Sequence, residues 1–435
     1  MIGTNQMSGL ISRIKLRLKQ IQALKFLILP VVYIYVIVLY VGCTENDGTV
    51  GQNINDPGFS GVVTDTVLYP AVIDTFIKQQ INSGSSSTMF LGQNGGFKAR
   101  FLLKFTYFAN LPDSFLLDSA FIRLSTADYF GDTNQVYNNF SGSIHQLTEM
   151  LPENDWYESS VTWDSVLAFD PAFIDTFSVA QSADTDSVYF SLDPAIVEQW
   201  INADTTDPNM GLIVDYSGDA QFLKKFFSSE NSDSTLKPLL KLYFTPYDSS
   251  TGDTAWIAQE ADSLNIYASN DVYAAIDTVE LDAARLYLGR SQAYRCLYQF
   301  DLTPYFPDFG VFINKLEFVL FTDTLHSLYL GDMTTVSPFR ISSDEWLTDP
   351  DEAVYDYYSG SSNVITGDSI VVNISSYTSL STSTNWLENP EQNYGFMLKF
   401  GVESGYIARL PIYPYETDDI SKRPYLHVVY STMEP

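Results

Sequence analysis

The sequence predicts an all-β protein built from two tandem β-sandwich domains, and three observations carry that expectation. From Val62 onward, short runs rich in β-branched and aromatic residues alternate with clusters of Gly, Asn, Asp and Ser, the texture of a sandwich. Long helical periodicity is nearly absent. The two halves of the chain also repeat each other block by block.

The N-terminus stands apart. "RIKLRLKQIQALK" carries Arg13, Lys15, Arg17, Lys19 and Lys25 without an acid, and Phe26 to Val41 is an unbroken apolar run ending in Gly42-Cys43. A basic segment followed by an apolar one is the pattern of an export signal. The run is short for a spanning helix of about 20 residues. Its small-residue-then-cysteine ending resembles a bacterial lipobox, although Tyr40 stands where such signals usually carry Leu. Residues 1–42 therefore read as a lipoprotein signal peptide and Cys43 as the lipidated residue. Residues 43–61, polar and acidic, read as a flexible tether. The expected address is the cell envelope, with the exported chain held by lipid on the outer membrane or cell surface. An uncleaved signal anchor is the alternative.

The repeat sets the domain limits. "LGQNGGFKARFLLKFTYFANLP" is answered by "LGRSQAYRCLYQFDLTPYFP", with Phe105 and Phe300 closing the strand, and "FLLDSAFIRLST" by "VFINKLEFVLFT". Further on, Asn209 and Gly211 align with Asn393 and Gly395, and each half ends with a proline before its last strand, Pro238 and Pro424. The order of matched blocks is the same in both halves. The domains are thus expected at 62–246 and 255–435, joined by a linker at 247–254 that should be open to proteolysis.

Within the first copy, Asp193 and Pro194 form a helix start, and Ile196, Val197, Trp200 and Ile201 share a face that would plug one end of the sandwich. "DWYESSVTWDS" precedes it. Residues 160–165 read as a strand with Val161 and Trp163 turned to the core, while Trp156 lies before a polar turn and has its counterpart in Trp346. Taken together and in order, "LLKF", "SAFIRL", "WYESSVTWDS", "FSLDPAIVEQWI", "NMGLIV", "FSSE" and "LKPLLKLYF" resemble the DNRLRE-type domains of extracellular bacterial proteins. The second copy looks like a diverged relative. The resemblance implies a jelly-roll sandwich similar to carbohydrate-binding modules.

Charge and motif content narrow the chemistry. The chain has 23 Lys plus Arg against 53 Asp plus Glu, which repels nucleic acid phosphates. With Cys43 lipidated, Cys296 has no disulfide partner and reads as a buried residue. His145, His326 and His427 sit in strand-like contexts without a nucleophile motif, and Glu158 with Asp164 is a poor acid pair because the two fall in a turn and on the outer face of a strand. No enzyme is expected. Cofactors are none beyond a structural calcium ion, for which Asp204, Asp207 and Asn209 in "ADTTDPN" supply the oxygen donors a hard cation takes. The alternative for these residues, for Asp184 and Asp186, and for Asp349, Asp351 and Glu352, is an ordinary acidic turn.

Sugar recognition needs an exposed aromatic face beside hydrogen-bonding groups. Tyr129 and Tyr137 in "DYFGDTNQVYNNFSG", Tyr355 and Tyr357 in "VYDYYSG", and Trp346 are the candidates. The sequence therefore points to a non-catalytic envelope lipoprotein whose two modules bind a polysaccharide or surface protein. The alternatives are a structural spacer of the envelope or of an extracellular filament, and then a polysaccharide-degrading enzyme.

Overall fold

The structure is a computed structural model that describes residues 61–433 apart from 132–138, 151–155, 173, 181–186, 205–207, 217, 219–220, 249–256, 259–261, 307–310, 331–334, 357–364 and 379–384. Within that range the protein is all-β. The first half supplies β1 (Gly61–Leu68), β2 (Val72–Gln80), β3 (Thr88–Asn94), β4 (Phe97–Lys104), β5 (Phe115–Gly131), β6 (Asn139–Met150), β7 (Val166–Phe169), β8 (Asp175–Ala180) and β9 (Ser187–Leu192). Helix α1 (Pro194–Ile201), β10 (Leu212–Asp215), β11 (Phe222–Phe227) and β12 (Leu239–Asp248) complete it. The second half supplies β13 (Ile257–Ala258), β14 (Asp262–Tyr267), β15 (Asn270–Asp277), β16 (Leu286–Arg290), β17 (Gln292–Phe300), β18 (Val311–Phe321) and β19 (Leu328–Leu330). Then follow β20 (Val336–Arg340), β21 (Ile365–Thr366), β22 (Ser369–Asn373), β23 (Phe396–Phe400), β24 (Ile407–Ile412) and β25 (Tyr425–Met433).

The same sheet plan is used twice. In one sandwich the strand orders are β14-β12-β5-β9, β15-β4-β10-β6 and β3-β11-β5; in the other they are β1-β25-β18-β22, β2-β17-β23-β20 and β16-β24-β19. Register repeats as well as order. Ile122 faces Leu240 as Phe318 faces Leu426, and Leu103 faces Leu212 in β10 while Tyr298 faces Phe396 in β23.

The pairing departs from a division of the chain at residues 247–254. Strand β2, from the start of the chain, runs antiparallel to β17 with Val72 opposite Phe300 and Gln80 opposite Gln292. Conversely, β15 from beyond the linker runs along β4, with Asp277 opposite Phe97 and Asn270 opposite Lys104. Each half thus lends its opening two strands to the other, β1 and β2 to β25 and β17, and β14 and β15 to β12 and β4. The cores record the exchange: Ile266, Ala268, Tyr273 and Ala275 are buried among Phe101, Leu103 and Leu242, whereas Val72 is buried among Tyr298, Phe318 and Leu426. Repeated sequence makes this possible, because β2 and β15 present equivalent edges to equivalent neighbours. Residues 249–254 of the expected linker lie outside the described residues, and Tyr247 and Asp248 still belong to β12.

Charge reinforces the crossing. The carboxylate of Asp277, fully buried, accepts two hydrogen bonds from Arg409 Nη1 at 2.7 and 2.8 Å and one from Tyr294 Oη at 3.0 Å. A buried carboxylate is costly unless paired and hydrogen-bonded. Here it is both, so Asp277 on β15 is fixed against β24 and β17.

Local expectations fare unevenly. Helix α1 is present, capped by Asp193, whose side chain accepts the Ala195 amide at 2.9 Å, with Val197 and Trp200 buried and Trp200 stacked on Phe105. Residues 160–165 are not a strand. Two 3-10 turns, Glu158–Ser160 and Trp163–Ser165, flank a fully buried Val161, and Trp163 is only half-buried beneath the Arg100 guanidinium. The period-2 reading failed because the Thr162–Ser165 capping box closes a turn there. His326 likewise lies in a turn, while His145 and His427 are in strands.

Candidate functional site

"WYESSVTWDS" proves to be a clamp on the exchange. Trp156 is buried and donates Nε1 to Met210 O at 2.8 Å, anchoring the segment to the outer face of β10 over Leu102, Ile213 and Val272. Glu158 Oε1 accepts the amide of Asp271 on the exchanged β15 at 2.8 Å, and its backbone carbonyl accepts from Asn82 in the segment leading out of β2. Gly84 belongs to that same crossing segment. A Cβ there would fall 2.5 Å from Glu158 Cβ. Gln80 also donates to Asp164. Both acids therefore serve packing, and burial raises the Glu158 carboxyl above its ordinary range.

The second copy repeats the anchor. Trp346 is fully buried and donates Nε1 to Tyr394 O at 2.8 Å, over Leu297 and Met397. It offers no face to a sugar, which corrects its assignment as a contact residue. Of the other candidates, Tyr129 is half-buried against Phe222 with Lys224 over its ring, and Tyr355 is half-buried against Phe339. Tyr137 and Tyr357 lie outside the described residues, as does Cys43.

Of the expected calcium ligands, Asn209 and Asp204 are among the described residues. Asn209 is buried, its Nδ2 donating to Phe105 O at 2.7 Å and its Oδ1 accepting the Gly211 amide at 2.9 Å. Its amide is thus committed to joining β10 to the end of β4, and Asp204 sits exposed on the surface. Asp207 lies outside the described residues, with Asp184 and Asp186. Asp349 caps a 3-10 turn by accepting the Asp351 amide. Among the described residues no three His, Cys, Asp or Glu side chains are grouped to hold a metal ion.

An aromatic face occurs elsewhere, on the outer side of β14-β12-β5-β9. Antiparallel register lays the side chains out in cross-strand rows. One row runs Tyr267, Leu239, Arg123, Tyr189; the next Asn265, Lys241, Phe121, Ser191; the third contains Ser263, Tyr243 and Ser119. Tyr189 is 64% exposed and Tyr267 47%, and Phe121 and Tyr243 meet edge-on at 6.2 Å with Lys241 Nζ 4.8 Å from the Tyr243 ring. Four strands make a surface about 14 Å across. Its groups are four rings, two cations and a set of hydroxyl and amide side chains, without a carboxylate in these rows.

The equivalent face of the other sandwich is different. Where the first has Phe121, Lys241 and Ser119, the second has Glu317, His427 and Lys315. These make an ion network: His427 Nδ1 to Glu317 at 2.9 Å, His427 Nε2 to Asp65 at 2.8 Å and Lys315 to Glu317 at 2.8 Å. The sheet plan alone therefore does not require aromatic residues at these outward positions. The sequence carries the signal for them in strict alternation, "FIR", "VYFS", "KLY" and "NIY", a weaker mark than the tyrosine-dense segments at 128–142 and 354–360.

No protein-family model and no curated protein matches the chain. Among solved structures it aligns with the Streptococcus agalactiae AgI/II polypeptide BspA C terminal domain, at 12% identity over 85% of this chain and 90% of that one, with a TM-score of 0.10. A likeness at that level carries no argument about fold or function.

Proposed function

We propose that this chain is a non-catalytic cell-envelope lipoprotein whose two sandwiches, of the DNRLRE type and jelly-roll plan, bind a polysaccharide or a surface partner through the face of Phe121, Tyr189, Tyr243 and Tyr267. The carrying observation is the contrast between the two copies: where the first carries Phe121, Tyr189 and Tyr243 on this face, the second carries Glu317, Val371 and Val429, and its Glu317 is taken up in an ion network. Flat rings beside hydroxyl, amide and cationic groups suit the apolar face and hydroxyl rim of a sugar. The role of envelope spacer is the second reading, and the reciprocal exchange of strands favours it by making the two copies hard to separate.

The test is glycan-array and affinity-electrophoresis binding with the soluble chain from residue 44. Phe121→Ala with Tyr243→Ala should abolish retardation by any bound polysaccharide while the melting temperature stays near that of the parent. Binding unchanged in the double variant, or no binding of the parent across a broad glycan panel, overturns the sugar reading and leaves the spacer.

A further inference from the structure

The N-terminal strands β1 and β2 pair with β25 and β17 of the second sandwich, and a contact through a titratable side chain on each strand adds to that pairing. On β1, Asp65 receives His427 Nε2 at 2.8 Å, and the other ring nitrogen of His427 binds Glu317 on β18, which Lys315 also meets. On β2, Asp74 Oδ2 accepts the Tyr415 amide at 2.7 Å, with Glu416 beside it and Cys296 and Tyr298 of β17 facing it from the sheet. The arrangement on β2 has a twin. On β15, Asp271 Oδ2 accepts the Ser229 amide at 2.6 Å, with Glu230 and Glu158 as its acidic neighbours. Asp74 and Asp271 stand opposite equivalent residues, Tyr298 and Leu103, in equivalent strands.

We infer that the N-terminal segment of β1 and β2 is a clasp that closes most tightly in mild acid and loosens as the medium turns neutral to alkaline. Both contacts act in the same direction. Burial raises the Asp74 carboxyl from 3.8 to about 6, so the docked segment favours its neutral form. A carboxyl raised on docking contributes most below its undocked value, and that contribution is lost as pH climbs through the docked one. Hydrogen bonds to Glu317 and Asp65 raise the His427 imidazole. A histidine raised on docking also contributes below its undocked value and loses that contribution as pH rises through the docked one. The loosening therefore runs from about pH 4 through pH 6 for Asp74 and continues above pH 6.5 for His427. The segment of β14 and β15 lacks the histidine bridge, since Lys241 occupies the place of His427.

The experiment is amide hydrogen exchange by mass spectrometry on the soluble chain, corrected for intrinsic rates, at pH 4.5 and 8.0. The protection of residues 61–80 is read relative to that of β5 and β11. It should fall at least ~10-fold between the two conditions, as a shift of one to two pH units in docking implies. Asp74→Asn with His427→Gln should hold the fall to less than ~3-fold. Should the double variant not fold, Asp74→Asn alone must remove the part of the fall below pH 6.5. A parent ratio that stays flat, or a variant that loses as much protection as the parent, overturns the clasp. Both outcomes are independent of glycan binding.

Discussion

Trp156 and Trp346 occupy the same place in the two sandwiches, each fully buried and each donating its indole N–H at 2.8 Å to the carbonyl just before a glycine, Met210 before Gly211 and Tyr394 before Gly395. The glycines adopt φ of +80° and +86°, and a Cβ on either would lie 2.4 Å from Leu103 O or 2.2 Å from Tyr298 O. Asn209 and Asn393 complete the unit by bonding back to Phe105 O and Phe300 O. One local device thus fixes the outer face of both copies.

Truncating either indole should cost about 3 to 5 kcal/mol, the loss typical of a buried Trp. Trp163→Ala should cost far less, because its half-buried ring lies under the Arg100 guanidinium and outside the buried clusters. Urea unfolding at neutral pH checks the order. A Trp163 variant less stable than the Trp156 variant would contradict the burial described above.

Much of the fold was legible because strand alternation and block order are local properties. The alignment of Asn209 with Asn393 pointed to equivalent sites, and the Asp193 cap set the helix start. The exchange was not legible, because β2 and β15 carry the same pattern whichever of β4 and β17 they pair with; only three dimensions distinguish the partners. The outward rings of the proposed face were hard to read for a related reason. Tyrosine density drew attention to 128–142 and 354–360, whereas exposure on a sheet follows the parity of single positions such as Phe121 and Tyr243.

Asp271 should make stability fall with rising pH. Burial lifts its carboxyl from 3.8 to about 8, so it stays neutral in the folded chain at neutral pH, and the stability it contributes declines as pH climbs from about 4 toward 8. Asp271→Asn keeps an acceptor for the Ser229 amide and removes the titration. The variant should gain on the parent by a few kcal/mol between pH 5 and pH 9 in urea titrations. A stability difference that does not change with pH would show that Asp271 ionises without resistance.

Cys43 lies outside the described residues, and its expected acylation rests on the basic segment, the short apolar run and the Gly42-Cys43 ending. In a bacterial host, Cys43→Ser should abolish metabolic labelling with palmitate and slow processing of the signal. Label retained by the variant would point to an uncleaved anchor.

Reciprocal exchange has a consequence that a simple tandem arrangement lacks. A protease cut within residues 249–256 severs the only covalent path between the halves, yet β2 remains paired along β17 and β15 along β4, with Asp277 still buried against Arg409. Domains that merely follow one another would separate after such a cut, because inter-domain surfaces within a chain are small and polar. Here each fragment holds two strands that complete the other's core. The two fragments should therefore co-elute at the parent's size in gel filtration and separate only in denaturant, with unfolding of the intact chain in one cooperative step. Elution as two smaller species under native conditions would mean that the strands are not exchanged in solution.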